Sequence, residues 1–347
     1  MYEIPAPMLA KSVPAIPDPA KTPGGLSFEP KWDGFRALIA WDGTDVEIGS
    51  RGAKPLTRYF PELVAACRAL LPEPCLIDGE IVVAAGDPAR LQWELLSQRI
   101  HPAVSRVTKL AQETPAELIC FDLLAVDDED LMGRPFRERR AALESLLEDV
   151  SPASGIHLTR VTDDPELART WFEDFEGAGL EGVVAKPLEG TYEQGKRTML
   201  KIKHKRTAEA VVVGYRVHKS GQGVGSLLLG LVDEGGRIVN VGGIAAFTAA
   251  RRLELVDELE PYVLREEDGS VVAAETDRSR FSSSKDVSYV PLRPERVVEV
   301  AFDQLEKSRF RHAVTFLRWR PDREPMSCTL AQVSRAPSYD LGRVLVE

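Results

Sequence analysis

The sequence predicts an α+β protein in two parts, and three observations carry that prediction. Strand-like and helix-like stretches alternate up to about Lys203. Beyond Lys205 the texture changes to short apolar runs separated by glycine-rich turns. Charge divides the same way: residues 1–203 hold 33 Asp+Glu against 23 Lys+Arg, whereas residues 204–347 hold 21 of each, so the whole formal charge of −10 lies in the first part. A first domain over 1–203, a hinge at 204–206 and a second domain over 207–347 are therefore expected. A chain of 347 residues is long enough to give each a core.

In the first part, "RALIAW" and "DVEIGSR" read as strands joined by an Asp42-Gly43 turn, which predicts a hairpin. "FPELVAACRALL" has helical periodicity and stops before Pro72 and Pro74. "CLIDGEIVVA" and "AELICFDLLAV" read as strands. "LQWELLSQRI", "PFRERRAALESLLEDV" and "DPELARTWFEDFEGAG" read as helices. "IHLTRV", "LEGVVAKPL" and "TMLKIKH" are again strands. The proline-rich start, "MYEIPAPMLAKSVPAIPDPAK", reads as an extended arm. In the second part "EAVVVGYRV", "GSLLLGLVD", "GRIVNVGGI", "RVVEVAFDQL" and "VTFLRWR" are strands, with one helix, "TAARRLELVDELEPYV", after the third. Five strands with that insertion predict a small closed barrel of the oligonucleotide-binding (OB) type. "TDRSRFSSSKDVSYVPLRP" reads as an exposed loop.

Several classes are set aside by composition. No apolar run approaches the roughly 18 residues of a membrane helix, and the start lacks an apolar signal core, so a cytoplasmic location is expected. Cys67, Cys75, Cys120 and Cys328 show no C-x-x-C spacing, which argues for buried thiols over a disulfide framework or zinc ribbon. The acidic balance argues against wholesale coating of nucleic acid, so such a partner would meet local basic patches. One candidate lies in 304–323, where Lys307, Arg309, Arg311, Arg318, Arg320 and Arg323 face only Glu306 and Asp322 in sequence. A solvated strand face explains the same pattern.

The chemistry concentrates at "LSFEPKWDGFRALIAW". Alternation along a strand places Lys201 and Lys203 on one face while Leu200 and Ile202 turn to the core. Asp78 and Glu80 share a face in the same way. Each doublet alone could be the wet side of a sheet. Together with Lys31-x-Asp33-Gly34-x-Arg36 they suggest paired cations for a polyphosphate and paired carboxylates for a divalent metal or ribose hydroxyls. A lysine amine attacks only when deprotonated, and neighbouring cations such as Arg36, Lys201 and Lys203 with partial burial would favour that form. Lys31 would then attack the α-phosphorus of a nucleotide and expel pyrophosphate.

"KWDGFR" (31–36), "SRGAK" (50–54), "LIDGEIV" (76–82), "ICFDLL" (119–124), "LEGVVAK" (180–186), "LKIKHK" (200–205) and "RHAVTFLRWRPDREP" (311–325) stand in the order of motifs of the covalent nucleotidyltransferases, and the chain resembles the ATP-dependent DNA ligases among them. The resemblance covers residues 26–325. Its size and ending are most similar to the small C-type ligases of actinobacteria, which act in DNA repair. The absence of a zinc-cysteine cluster and the arginine at position 36 speak against the NAD-dependent type. The resemblance implies an N-terminal adenylation domain of antiparallel sheets with helices, followed by an OB-fold domain. It implies that Lys31 is adenylated from ATP, that Glu29 holds adenine through its backbone and that Phe121 stacks on the ring. Arg36 and Glu80 would contact the ribose region, Glu181 with Glu80 would hold Mg²⁺ or Mn²⁺, and Lys201 and Lys203 would meet phosphates. Arg51 would hold the 5′-phosphate of nicked duplex DNA, with Arg318 on DNA phosphates. Arg320, Asp322 and Arg323 would orient pyrophosphate when the second domain closes over ATP. A monomer is expected. An RNA ligase or mRNA-capping guanylyltransferase shares the first motif, and a non-catalytic nucleic-acid-binding module is the reading from another class. Phe121 as plain core, Arg51 as an exposed arginine and the Asp-Gly pairs as bare turns are the ordinary alternatives.

Overall fold

The computed structural model describes residues 2–52, 54–204, 206–272, 274–275, 288–303, 305–306, 309–333 and 338–345. The chain forms two compact units, Met1–Lys203 with Ala336–Glu347, and His204–Arg335.

The first unit is framed by two larger sheets, beside a short ribbon of Ala84–Ala85 with Arg90–Leu91. The four-stranded one is built from β1 (Leu9–Ser12), β2 (Leu26–Lys31), β8 (Gly182–Pro187) and β9 (Arg197–Lys203), in the order β1-β9-β8-β2. The arm expected at the start is therefore a strand, β1, paired parallel to β9. The second sheet runs β7-β6-β5-β3-β4, from β3 (Phe35–Trp41), β4 (Val46–Ser50), β5 (Cys75–Val82), β6 (Glu117–Val126) and β7 (Ile156–Leu158). β3 and β4 form the expected hairpin, and Asp42 Oδ1 closes its turn by accepting from the Thr44 and Asp45 amides.

Period-two alternation assigns the two faces of this second sheet. Ile39, Ile77 and Ile81 turn one way into a core shared with α1 (Pro61–Leu70) and α4 (Phe136–Leu147), through Leu63, Cys67, Leu143 and Leu146. Leu38, Ala40, Leu76 and Leu124 turn the other way and meet Met8, Tyr192 and Met199 of the four-stranded sheet and its connections. The outer face of that smaller sheet, carrying Leu26, Phe28, Val183 and Ile202, is covered by α5 (Pro165–Asp174) through Ala168. Helices α2 (Trp93–Gln98) and α3 (Val104–Glu113) complete the unit. α3 was not legible in the sequence, because only Val107 and Leu110 of its ten residues are buried. The segment 338–345 packs Leu341 and Val344 beside Trp32, Trp171 and Phe175, so the second unit ends before the C-terminus. All four cysteines are buried free thiols.

The second unit contains the five expected strands, β10 (Arg206–Val217), β11 (Val224–Val232), β12 (Ile238–Ile244), β15 (Val297–Phe302) and β16 (Thr315–Trp319), with α6 (Ala249–Leu259) after the third. The continuous closed barrel expected of them is not seen among the described residues. β10 divides its second edge, pairing with β15 through Arg206–Val211 and with β14 (Ser288–Pro291) at Gly214 and Tyr215, and β13 (Ala274–Glu275) extends β14. Among the described residues β12 and β16 meet through one backbone bond, from the Val314 amide to the Gly243 carbonyl at 3.2 Å, and no continuous ladder joins them. Of the loop expected over 276–294, the part at 288–291 is this strand β14, and 276–287 lie outside the described residues.

Candidate active site

A cavity of about 180 Å³ opens in the first unit, lined among others by Glu29, Lys31, Arg36, Arg51, Glu80, Phe121 and Lys201. Strand register explains the convergence. β8 runs between β2 and β9, with Gly182 opposite both Lys31 and Lys203, and Val184 opposite both Glu29 and Lys201. One cross-strand row thus carries the two lysines of different motifs, and the next row carries the carboxylate and third lysine. Gly182 makes the first row possible: at φ +141°, a Cβ there would lie 2.0 Å from the Ile202 carbonyl. The Asp78-Gly79 pair lies inside β5, as the strand reading of "CLIDGEIVVA" expected, and not in the bare turn that was its alternative; Gly79 is needed because β6 passes so close that a Cβ would stand 2.6 Å from the Ile119 carbonyl.

Glu181 sits at the head of β8, its amide donating to the Lys31 carbonyl at 2.9 Å. Its carboxylate meets Lys31 Nζ at 2.5 Å and Lys203 Nζ at 2.9 Å. Burial is the strongest influence on this carboxyl and would raise it, yet the two ammonium groups together hold it down at about 2. Glu80 goes the other way: burial outweighs Lys31 and Arg36 and pushes it up to about 7, with Asp33 and Glu181 adding to the rise. The surroundings of Lys31 therefore differ from the cationic cluster expected. Its direct partner is a carboxylate, and Arg36 is committed to Asp78 by two contacts of 2.5 and 2.6 Å. Lys201 is the amine whose proton affinity the site lowers, first by burial, then by Lys203, Lys31 and Arg51.

The far end of the cavity sets one aromatic ring, Phe121, among buried charges. The Phe121 ring has the Arg36 guanidinium and the Lys186 ammonium each 4.6 Å from its centre. Lys186 bonds the Phe121 carbonyl at 2.9 Å and pairs with Glu29 Oε1 at 3.0 Å. The other carboxylate oxygen, Glu29 Oε2, is buried without a hydrogen-bond partner. Burial outweighs Lys186 and raises the Glu29 carboxyl. Arg51 is exposed at the cavity's edge.

Arg318, Arg320, Asp322 and Arg323 belong to the second unit and make their own cluster. Arg320 binds Asp322 at 2.7 Å and Glu209 at 2.6 Å, Arg318 binds Glu299 at 2.6 Å, and Arg323 reaches Glu209 at 4.0 Å. Within the basic patch expected at 304–323, Arg318, Arg320 and Arg323 are thus paired with carboxylates from β10 and β15, which pairing places alongside β16, while Arg309 donates to Asn240 Oδ1 at 3.3 Å. Lys307 lies outside the described residues.

The sequence reading missed Lys186, Tyr192, Met199, Arg197 and the stretch Pro7–Ala10, all of which lie at or beside the cavity. Lys186 could have been found, since alternation along β8 puts it on the face of Gly182 and Val184. Pro7–Ala10 carried no such signal, because its place depends on a pairing with β9 almost 190 residues away. Among the described residues no cluster of three or more His, Cys, Asp or Glu could hold a metal. Two carboxylates, Glu80 and Glu181, remain at the site. Mg²⁺ is commonly held by one or two carboxylates with substrate phosphates and water, and this donor set fits it.

Residues 7–203 match the model of the ATP dependent DNA ligase domain and residues 220–323 that of the ATP dependent DNA ligase C terminal region. The chain is 52% identical to DNA ligase C of Mycobacterium tuberculosis, over 98% of this chain and 96% of that protein. It is 53% identical to DNA ligase C1 of Mycolicibacterium smegmatis, over 98% and 97%. Among solved structures, a Lig E DNA ligase shares the fold at a TM-score of 0.58 and 18% identity, covering 92% of this chain and all of that one. With more than half its length under one family model and relatives matched nearly end to end, the chain belongs to the ATP-dependent DNA ligases.

Proposed function

We propose that the protein seals nicks in duplex DNA with ATP, through a lysyl-AMP intermediate on Lys31. The observation that carries this reading is the meeting of Lys31 and Lys203 in one cross-strand row and Lys201 in the next, with Glu181 between the first two ammonium groups, at a cavity lined by Phe121. Lys31 Nζ, once its proton is lost, attacks the α-phosphorus; the P–N bond forms as the bond to pyrophosphate breaks. Lys201 and Lys203 meet the phosphates. The 5′-phosphate of the nick, held by Arg51, then takes AMP from Lys31, and the 3′-hydroxyl displaces it. Mg²⁺, bound by Glu80 and Glu181, would neutralise phosphate charge. Phe121 stacks on adenine, and Arg36 with Glu80 contacts the ribose region. Glu29 meets the base through its backbone, and its unpartnered Oε2 supplies an acceptor for an exocyclic amine, which favours adenine at the edge where guanine has a carbonyl.

The second unit, 207–335 in this reading, serves as an OB-type domain moving on a hinge at 204–206. Arg320, Asp322 and Arg323 orient pyrophosphate during the first step, and Arg318 contacts DNA. The close likeness to DNA ligases C supports a role in repair, on cytoplasmic DNA, by a monomer. Among the described residues no helix is long and apolar enough to cross a membrane.

The test is sealing of a nicked duplex with ATP and Mg²⁺ by wild-type protein and Lys31→Ala, alongside labelling with α-labelled ATP or GTP. Sealing and ATP labelling by wild type alone are expected. Closure by both proteins removes the assignment of Lys31, and labelling by GTP alone makes the enzyme a guanylyltransferase.

A further inference from the structure

The connection between β8 and β9 carries Tyr192, a residue with no place in the chemistry above, yet it is only 5% exposed and lies among the side chains that join the two sheets. Its hydroxyl donates to Asp78 Oδ2 at 2.6 Å and accepts from the Met8 amide at 3.0 Å. Asp78 in turn receives Arg36 Nε at 2.5 Å and Nη2 at 2.6 Å, and Arg36 Nη2 reaches the Met8 carbonyl at 3.3 Å. These contacts close a ring. It leaves residue 8 by its amide, passes through Tyr192, Asp78 and Arg36, and returns to the same residue by its carbonyl. Burial and Asp78 both push the Tyr192 hydroxyl far up, which keeps it protonated as the donor the ring requires.

The ring has two consequences for the cavity. It fixes Pro7–Ala10, four residues that line the pocket and are otherwise held by parallel pairing with β9 and by backbone bonds to Gly195 and Lys196 just before it. It also sets the Arg36 guanidinium against the Phe121 ring. We propose that Tyr192 is a positioning residue for nucleotide binding, a latch that holds the N-terminal strand as a wall of the cavity and keeps Arg36 at the pocket's ribose side. This rests on the adenylation reading of the cavity. It adds a dependence of nucleotide affinity on a tyrosine from one connection and a main chain from the N-terminus.

The test is Tyr192→Phe in the full chain, which keeps the ring in its packing and removes only the oxygen. Initial rates of self-adenylation against ATP concentration are expected to give a KM raised about five- to tenfold, as loss of one hydrogen bond of ordinary net strength implies, with kcat within twofold. A purely structural role would lower kcat, or the amount of active protein, and leave KM alone. Amide hydrogen exchange supplies a readout independent of activity: the Met8 amide should exchange at least tenfold faster in Tyr192→Phe, while amides of β3 and β5 stay unchanged. A folded variant with wild-type KM and wild-type exchange at Met8 overturns the latch. If wild type itself takes no label from ATP, the adenylation reading fails instead, and the exchange measurement still decides whether the strand is latched. Should Tyr192→Phe fold poorly, Asp78→Asn read by the same exchange experiment decides between protection at Met8, which overturns the ring, and its loss, which upholds it.

Discussion

The two units spend their charged residues differently. In the first, the ion pairs at and around the cavity are buried and join segments far apart in sequence, Arg36 with Asp78, Arg139 with Asp122 and Lys186 with Glu29, while pairs such as Arg169 with Glu166 stay local and exposed. In the second, Arg320 is shared between Glu209 on β10 and Asp322 two residues away, and Asp322 is 61% exposed. A buried pair cannot be exchanged without leaving a charge uncompensated in a poor solvent, so the first unit is a pre-set mould. An exposed local pair is held weakly and can be traded for phosphate at little cost. That contrast suits a nucleotide pocket in one unit and contacts made transiently by the other.

The contrast breaks first at Asp78. Asp78→Asn leaves the Arg36 charge without its carboxylate, and urea titration should show a loss of about 3 kcal/mol; a loss below 1 kcal/mol would mean the first unit is no more committed than the second. A second strain on it comes from Glu80, whose carboxyl stands at about 7 instead of its ordinary 4.5. The folded protein binds this proton more tightly than the unfolded chain, so ionising Glu80 costs stability. The cost is absent below about pH 4.5 and complete above about pH 7. Metal-free Glu80→Gln should therefore be more stable than wild type by up to about 3 kcal/mol at pH 8, with the difference gone near pH 4. Glu181, held at about 2, contributes in the opposite sense: its stabilisation is full above about pH 4.5, declines as pH falls below that and is gone once pH has passed through about 2, so Glu181→Gln should destabilise by a similar amount across the neutral range. The smallest effect belongs to the second unit. Asp322→Ala should move Tm by no more than about 1 °C while slowing self-adenylation at least tenfold. A large fall in Tm there would make the exposed pair structural and remove the distinction between the units.

The structure also shows which parts of the site could be read from residues alone. Lys201 with Lys203 and Asp78 with Glu80 were legible as doublets because a strand's alternation is local. Their neighbours were not. That Glu181, rather than a cation, would sit on Lys31 depends on β8 lying between β2 and β9 with Gly182 in register. The basic run at 311–323 looked unbalanced because its carboxylates, Glu209 and Glu299, arrive on β10 and β15. Asp78 and Glu80, adjacent on one face, serve different ends for the same reason: Asp78 is closed off by Arg36 and Tyr192, while Glu80 faces the cavity.

By itself the sequence determined the two-part organisation, most of the strands and helices, and the order of motifs that marks a nucleotidyltransferase, because periodicity, turn chemistry and motif spacing act over a few residues. Only the tertiary structure decided how the strands of the second unit pair, that the N-terminal arm is a cavity wall, and which carboxyl is pushed up and which is held down. Those outcomes turn on strand pairing between distant segments and on the balance of burial against neighbouring charge, and neither quantity exists until the chain has folded.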